Sequence, residues 1–213
     1  MLIAGIDEAG RGSIIGPLVI AYVIVKEEDL SLLRSLGVKD SKMLSKKKRS
    51  TLANEIEKIA HKIVVRELSA REIDNRSTLN KLELNAIIEL IDRARSDFIY
   101  IDSFDVKTDR LEKIIEESIE YDATIHASHK ADRDNLVVSA ASIIAKVNRD
   151  NAIEKLRCYG SIGSGYPSDP YTREFVANCM SNNFYPEFIR YSWKSVKNIL
   201  QLPLHDPYQK VLD

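Results

Sequence analysis

The sequence has 213 residues, of which 44% are hydrophobic and 30% are charged, and its formal net charge is −1 at pH 7. A chain of this length and composition can bury a core of its own, and no apolar run approaches the ~20 residues that a membrane-spanning helix needs. The near-neutral charge argues against a protein that coats nucleic acid without specificity, although it leaves room for a local basic groove.

The cysteine content and the first residues bear on location. Cys158 and Cys179 are too few for a disulfide framework or a zinc cluster, and they favour packing in a reducing compartment. The opening MLIAGIDEAGRG has neither the basic region nor the long apolar stretch of a secretory signal. We therefore expect a cytoplasmic protein without membrane attachment. We also expect a monomer, because no long apolar stripe remains unexplained.

The predicted elements alternate in a way that is typical of an α/β protein. Strands are expected, in chain order, at LIAGID, PLVIAYVIVK, HKIVVREL, DFIYID and ATIHAS. Helices are expected at LSKKKRSTLANEIEKIA with Ser45 as N-cap, NKLELNAIIELIDRAR, DRLEKIIEES and NLVVSAASIIAKVNRDNAIEKL, and then near 170–181 and 191–200.

The order of these elements predicts a mixed five-stranded sheet flanked by helices. The first three strands would form an antiparallel meander, and the fourth and fifth, each reached through a helix, would join in parallel beside the first. We expect a catalytic domain at 1–165 and a small helical C-terminal extension at 166–213 that packs on it and is not independent.

Four carboxylates occupy positions that suit a metal site. Asp7 and Glu8 end the first strand, and the glycine-rich turn GRG that follows supplies the break that would let two adjacent side chains face one site. Asp102 ends the strand FIYID, and Asp132 stands just before the long helix. Clustered like charges are costly, and hard cations such as Mg²⁺ remove that cost. Two such ions about 4 Å apart activate a water and stabilise the leaving oxygen of a phosphodiester.

Each of these acids also has a purely structural interpretation. An Asp-Glu pair at a strand end often faces water, and either Asp132 or Asp134 is suited to cap the long helix. The four acids together favour a metal site, but their spacing alone does not define an enzyme class.

The segments that carry these residues resemble the type 2 ribonuclease H family, over about the first 200 residues. Six of them are similar to family motifs in family order: GIDEAGRGSIIGPLV, DSKMLSKKKR, YIDSFD, HKADRDNLVVSAASIIAKVNRD, GSGYPSDP and RYSWKSVK. The residues KAD and GSGYPSDP are most similar to the archaeal branch of the family.

The resemblance implies a ribonuclease H-like fold and a metal-dependent endonuclease. Asp7, Glu8, Asp102 and Asp132 would be the catalytic residues and the ligands of two divalent ions, either Mg²⁺ or Mn²⁺. The enzyme would hydrolyse the RNA strand of RNA–DNA hybrids and cut on the 5′ side of single ribonucleotides in duplex DNA, leaving a 3′-hydroxyl and a 5′-phosphate. Repair of misincorporated ribonucleotides and primer removal are the tasks that the family implies.

The same resemblance implies a set of substrate contacts. Main-chain groups of the GRG turn would sense the 2′-hydroxyl, because glycine lets the backbone approach a sugar closely. A tyrosine ring would stack on the next deoxyribose, and lysines would position phosphates without reading sequence. The implied residues are Gly10, Arg11, Gly12, Ser41, Lys42, Lys146 and Tyr166. The structural alternatives are turn formation for the glycines, packing for the tyrosine and solvent exposure for the lysines.

Three other functions compete with this interpretation. A metal-free ribonuclease would need an acid–base pair from His61, His126, His129 and His205. A catalytically silent hybrid-binding protein would be expected to lack one or more of the four acids. A junction resolvase uses a similar acid cluster, but the GRG turn and the tyrosine loop favour ribonucleotide recognition.

The C-terminal residues suggest one further partner. Gln201, Leu204 and Tyr208 partly fit the short peptide by which archaeal replication proteins bind the sliding clamp. Pro207 departs from that peptide because it occupies the first aromatic position. The alternative is a frayed tail with no partner.

Overall fold

The structure is a computed structural model that describes residues 1–38, 44–75 and 78–200. Its strands are β1 (Leu2–Ala9), β2 (Leu18–Lys26), β3 (Lys62–Leu68), β4 (Phe98–Asp102) and β5 (Thr124–Ser128). Its helices are α1 (Leu30–Ser35), α2 (Lys46–Ile59), α3 (Ala70–Asp74), α4 (Leu79–Arg93), α5 (Thr108–Ser118), α6 (Ala131–Asp134), α7 (Leu136–Lys155), α8 (Pro170–Ser181) and α9 (Lys194–Leu200).

The five strands form one sheet in the order β3-β2-β1-β4-β5, which confirms the predicted mixed five-stranded sheet with the fourth and fifth strands beside the first. β1 pairs with β2 in the antiparallel sense from Leu2↔Lys26 to Ala9↔Val19. On its other side β1 is parallel to β4, and β4 is parallel to β5. Because β1 and β4 are parallel neighbours, their C-terminal ends meet at one edge of the sheet.

The ends of two predicted helices show how local sequence sets these elements. Ser45 accepts a hydrogen bond from the Lys48 amide, so it caps α2 as predicted. The cap of α7 is Asn135, whose Oδ1 accepts from the amides of Val137 and Val138 at 3.0 and 3.3 Å. The structural alternative, in which Asp132 or Asp134 would cap this helix, is not what the structure shows, because Asn135 stands directly before the first helical residue.

The chain forms two compact units. The first comprises Met1–Ala9, the described part of Val19–Glu67, and Thr78–Asn148. The second comprises Gly10–Leu18 and the described parts of Leu68–Ser77 and Arg149–Asp213. These units are defined by packing and not by independent folding, so the expected division after residue 165 stays a prediction.

The core of the first unit depends on a close approach between α7 and β1. The part of α7 in this unit is almost wholly buried, as expected for a helix that is apolar on all sides. A methyl group placed on Gly5 would lie 2.2 Å from the carbonyl carbon of Val137 and 2.3 Å from its oxygen. Glycine is therefore required at this position, because it lets the helix backbone rest directly on the strand.

The second unit has a separate core of aliphatic and aromatic side chains. Ile15 forms an isolated antiparallel bridge with Ile189, and both residues are fully buried. The amides of Ile14 and Ile15 donate to the Gly165 carbonyl at 2.8 and 3.1 Å. These bonds fix the turn after β1 against the loop that carries Tyr166.

In the described ranges, no helix is both long enough and apolar enough to cross a bilayer.

Gly5→Ala tests the close approach of α7 to β1. The added methyl group would force the helix backbone away from the strand, and we expect a loss of about 1–3 kcal/mol in the free energy of unfolding. Urea denaturation measures this loss. Gly12→Ala is the matched control, because a methyl group there meets nothing within 4 Å and its stability should change little. Equal stability of the two variants would contradict the packing argument.

Candidate active site

Three acidic side chains meet at the C-terminal ends of β1 and β4. Asp7, Asp102 and Asp132 each offer one carboxylate oxygen, and these oxygens all lie within 4.8 Å of one another. Asp7 and Asp132 are only 6% and 5% exposed, while Asp102 is half-buried. Such a buried group of like charges is unfavourable unless protons or cations neutralise it.

Backbone contacts hold two of these acids in place. Asp102 Oδ1 accepts from the Ala131 amide at 3.0 Å, which ties the end of β4 to the start of α6. Lys130 makes this connection possible by adopting a left-handed conformation, with φ of 60°. Ser139, in the second turn of α7, donates its hydroxyl to the carbonyl of Asp132 at 2.5 Å. The position of Asp132 is thus set by the helix that follows it.

The electrostatics of Asp7 follow from its burial. The pKa of Asp7 is raised to about 7, chiefly because burial removes solvent from the carboxylate and also because of the charge of Asp102. A hydrogen bond from Ser142, the Glu8 amide at 2.7 Å and the charge of Lys146 act in the opposite direction on this pKa. The balance shows that the fold only partly compensates the charge on Asp7.

Ser142 is a site residue that sequence analysis did not identify. It is fully buried on α7, and its hydroxyl accepts a hydrogen bond from Lys146 Nζ at 2.7 Å. Lys146 is four residues further along the helix, so the two side chains share one face. Ser142 therefore links the ammonium group of Lys146 to the carboxylate of Asp7. The sequence feature that could have indicated Ser142 is its spacing of four residues from Lys146 in a mostly apolar helix.

Glu8 does not join the group of three acids. The regular pairing of β1 continues to Ala9, so Glu8 lies within the strand and its side chain leaves the opposite face from Asp7. The break in the backbone comes at Gly10, where φ is +86°. The role of Glu8 as a fourth metal ligand stays a prediction.

The predicted ribonucleotide-binding residues of the second unit lie in two loops. Gly10 accepts hydrogen bonds at its carbonyl from both the amide and the hydroxyl of Ser13, at 3.2 and 2.9 Å, which closes a tight turn. The carbonyl of Arg11 accepts from Arg190, and the Cβ side of Gly12 is open. Tyr166 is half-buried, and its ring centre lies 4.5 Å from the guanidinium of Arg149.

Two predicted phosphate contacts, Ser41 and Lys42, lie outside the described residues. Gln201, Leu204 and Tyr208, the predicted contacts to a sliding clamp, lie outside them as well.

The described histidines in the strands and at the sheet edge have structural contacts. His126 stacks on Tyr100 with ring centres 5.2 Å apart. His129 Nδ1 lies 3.3 Å from the carbonyl oxygen of Ser103, the residue after Asp102. This arrangement does not favour a mechanism driven by a histidine pair.

Comparisons with known proteins agree with this geometry. A family model described as Ribonuclease HII matches residues 4–196. Ribonuclease HII of Thermococcus onnurineus is 47% identical over 204 residues, which cover 93% of this chain and 90% of the relative.

Solved structures extend the agreement to the fold. The crystal structure of ribonuclease H2 from Pyrococcus horikoshii OT3 matches with a TM-score of 0.90 and 41% identity, covering 94% of this chain and 98% of that one. The ribonuclease HII in a complex with PCNA from Archaeoglobus fulgidus matches with a TM-score of 0.86 and 44% identity, at the same coverage. The mixed sheet, the acidic cluster and these similarities lead to one conclusion: the chain belongs to the ribonuclease HII family and is a nuclease.

Proposed function

We propose that this enzyme hydrolyses the RNA strand of RNA–DNA hybrids and cuts on the 5′ side of single ribonucleotides embedded in duplex DNA. Cleavage would leave a 3′-hydroxyl and a 5′-phosphate. The observation that carries the proposal is the buried cluster of Asp7, Asp102 and Asp132 in a chain of this family.

The donor set of the cluster fits a hard divalent cation. Carboxylate oxygens are the ligands that Mg²⁺ and Mn²⁺ prefer. The raised pKa of Asp7 supports the same fit, because it marks a site where negative charge is insufficiently compensated. Asp7, Asp102 and Asp132 would hold the metal, and Glu8 is the proposed fourth ligand. Bound in a pair, such ions supply an activated water and stabilise the leaving oxygen.

The side chains of α7 would orient this site. Ser142 donates to Asp7 and accepts from Lys146, so it orients the Asp7 carboxylate and favours its ionised form. Lys146 is half-buried and is the proposed contact to a substrate phosphate. As a point charge it would position the nucleic acid backbone without reading its sequence. Ser41 and Lys42 are proposed to extend this contact.

Recognition of the ribose is proposed for the Gly10, Arg11 and Gly12 backbone and the Tyr166 ring. The left-handed conformation of Gly10 and the open Cβ side of Gly12 support it, since a sugar could approach the main chain there. A 2′-hydroxyl both donates and accepts, so neighbouring N–H and C=O groups are suitable partners. A junction resolvase would have no need for such a turn. The corresponding cellular tasks are ribonucleotide repair and primer removal by a cytoplasmic monomer.

A sliding clamp is the proposed protein partner. The ribonuclease HII of Archaeoglobus fulgidus, 44% identical to this chain, is in a complex with PCNA. Gln201, Leu204 and Tyr208 are the proposed contact residues, and Pro207 is the departure from the usual peptide.

Asp102→Asn and Asp7→Asn test the proposed metal site. We expect either change to slow cleavage of a labelled DNA duplex containing one ribonucleotide by at least about a hundredfold, because a ligand of the reacting centre is lost. Binding of the duplex, measured by anisotropy, should be largely kept. Asp122→Asn, which changes an exposed aspartate of the same unit, should cleave normally.

The same assay separates the competing functions. Wild-type cleavage should require Mg²⁺ or Mn²⁺, stop with a chelator and leave an all-DNA duplex intact. Substantial activity in either aspartate variant would refute the metal-site assignment, and cutting of all-DNA duplex would favour a resolvase.

The raised pKa of Asp7 predicts how stability depends on pH without metal. A carboxyl group with a raised pKa in the folded state contributes stability that is fully present below its unfolded pKa of 3.8 and is lost as pH rises through about 7. In chelator, Asp7→Asn should therefore gain stability relative to wild type between these values, by up to about 1.4 kcal/mol per pH unit. Thermal melts from pH 4 to 8 measure the difference.

A divalent ion supplies the control for this measurement. At pH 8, Mg²⁺ or Mn²⁺ should raise the melting temperature of wild type more than that of Asp7→Asn. A stability difference that is the same at pH 5 and pH 8 would contradict the electrostatic argument.

Deletion of residues 201–213 tests the clamp proposal. The truncated enzyme should lose the sliding clamp in a pull-down while it cleaves a short ribonucleotide duplex at the wild-type rate, because the tail carries none of the proposed active-site residues. Clamp binding that is unchanged after truncation would end this proposal.

A further inference from the structure

Arg149 contacts both loops of the second unit that the proposed function assigns to ribonucleotide recognition. Its Nη2 donates to the Ser164 carbonyl at 3.0 Å, and its guanidinium lies over the Tyr166 ring at 4.5 Å. A methyl group on Gly10 would lie 2.4 Å from Arg149 Nε and 2.6 Å from Cδ, so the side chain packs directly on the Gly10 backbone. Gly165 also approaches, with its Cβ position 3.0 Å from Nη2.

The burial of Arg149 is unfavourable for stability. The residue is only 5% exposed, and Nε has no hydrogen-bond partner among the described residues. Burial lowers the pKa of the fully buried Arg190 to about 9, and the nearby charge of Arg149 contributes to this decrease. Buried cations that repel one another and lack a complete set of hydrogen bonds cost free energy. Departures of this kind from local rules concentrate at functional sites.

Arg190 fixes the same turn from its other end. Its Nε and Nη2 both donate to the Gly16 carbonyl, at 3.1 and 3.0 Å, and its Nη1 donates to the Arg11 carbonyl. Asp74 in turn accepts from the amides of Tyr191 and Ser192, at 2.7 and 3.2 Å, which holds the segment that carries Arg190. The side-chain hydrogen bonds of Arg190 thus brace the 10–17 turn, whereas Arg149 contacts both this turn and the tyrosine loop.

We propose that Arg149 is a positioning residue for ribonucleotide cleavage, which holds the Tyr166 ring and the Gly10 backbone in one fixed arrangement. This inference rests on the proposed function, in which that ring and that backbone contact the ribonucleotide. A guanidinium suits the task because its flat face stacks on the ring while its edge donates to a carbonyl. A lysine ammonium keeps the charge but cannot do both.

A double-mutant cycle tests the proposal in the intact enzyme. Single-turnover cleavage of a duplex with one ribonucleotide is measured for Arg149→Lys, Tyr166→Leu and the double variant. We expect Arg149→Lys to lower the rate roughly tenfold to a hundredfold, since small misplacements of substrate-positioning groups have effects of this size. The dissociation constant of the duplex should change less than about threefold. Arg157→Lys, a change in an exposed arginine of the same unit, should stay near the wild-type rate.

The cleavage rate of the double variant shows whether Arg149 acts through Tyr166. If Arg149 acts through Tyr166, the double variant should be no more than about threefold slower than the slower single variant, because both changes remove one arrangement. Rates that multiply, or a wild-type rate for Arg149→Lys, would overturn the proposal. The amplitude of the single turnover reports the folded fraction separately from the rate, so a merely structural loss is recognised. Absence of wild-type cleavage would instead refute the proposed function.

A second measurement leaves Arg149 unchanged and so does not depend on the folding of its variants. Amide hydrogen exchange is compared between wild type and Tyr166→Leu without substrate. Loss of the ring should loosen Arg149 and raise the exchange rates of the Gly12 and Ser13 amides, while amides of α5 keep their rates. Unchanged exchange in the 10–13 turn would show that Arg149 does not couple the two loops.

Discussion

Three carboxylates held within 4.8 Å of one another, two of them buried, repel each other more strongly than the surrounding protein compensates. Burial raises the pKa of Asp7 to about 7 and the charge of Asp102 contributes to this rise, in spite of a hydrogen bond from Ser142 and the nearby charge of Lys146. A bound divalent cation would relieve this uncompensated negative charge, and the relief would contribute to its free energy of binding. The acidic cluster is in this sense built at the expense of the stability of the metal-free protein.

That repulsion can be sustained only on a rigid scaffold. β1 supplies it as the central strand, paired with β2 and β4 on its two sides. Gly5 brings α7 to backbone contact with β1, so Ser142 on the helix reaches Asp7 on the strand. α7 also fixes Asp132 through Ser139, and the Ala131 amide at the start of α6 fixes the carboxylate of Asp102. The acids therefore occupy three different elements that packing does not allow to move apart.

Much of this arrangement was predictable because it depends on local patterns. Apolar runs set the strands, Ser45 set the start of α2, and Asp102 is conspicuous at the end of a short apolar strand. Other features depend on single-residue placement or on distant contacts. Asn135 caps α7 instead of its acidic neighbour Asp134 because it stands one residue closer to the helix. Ser142 and Arg149 are identified only when the contacts of α7 are known. The alternation of β1 through Ala9, which separates Glu8 from Asp7, could not be inferred from a glycine turn that begins one residue later.

The first unit contains a cluster of carboxylates that repel one another, and the second unit contains two buried guanidinium groups that also repel one another. The chemistry of the side chains suits these two groups to different roles. Carboxylates can be neutralised by a proton or a metal, so the cluster of Asp7 is suited to bind a cation. A guanidinium stays protonated even when burial lowers its pKa, and Arg149 and Arg190 donate to carbonyl oxygens and lie over aromatic rings. Their charges are permanent and their contacts are directional. Such groups are well suited to hold a backbone turn and an aromatic ring in one fixed geometry.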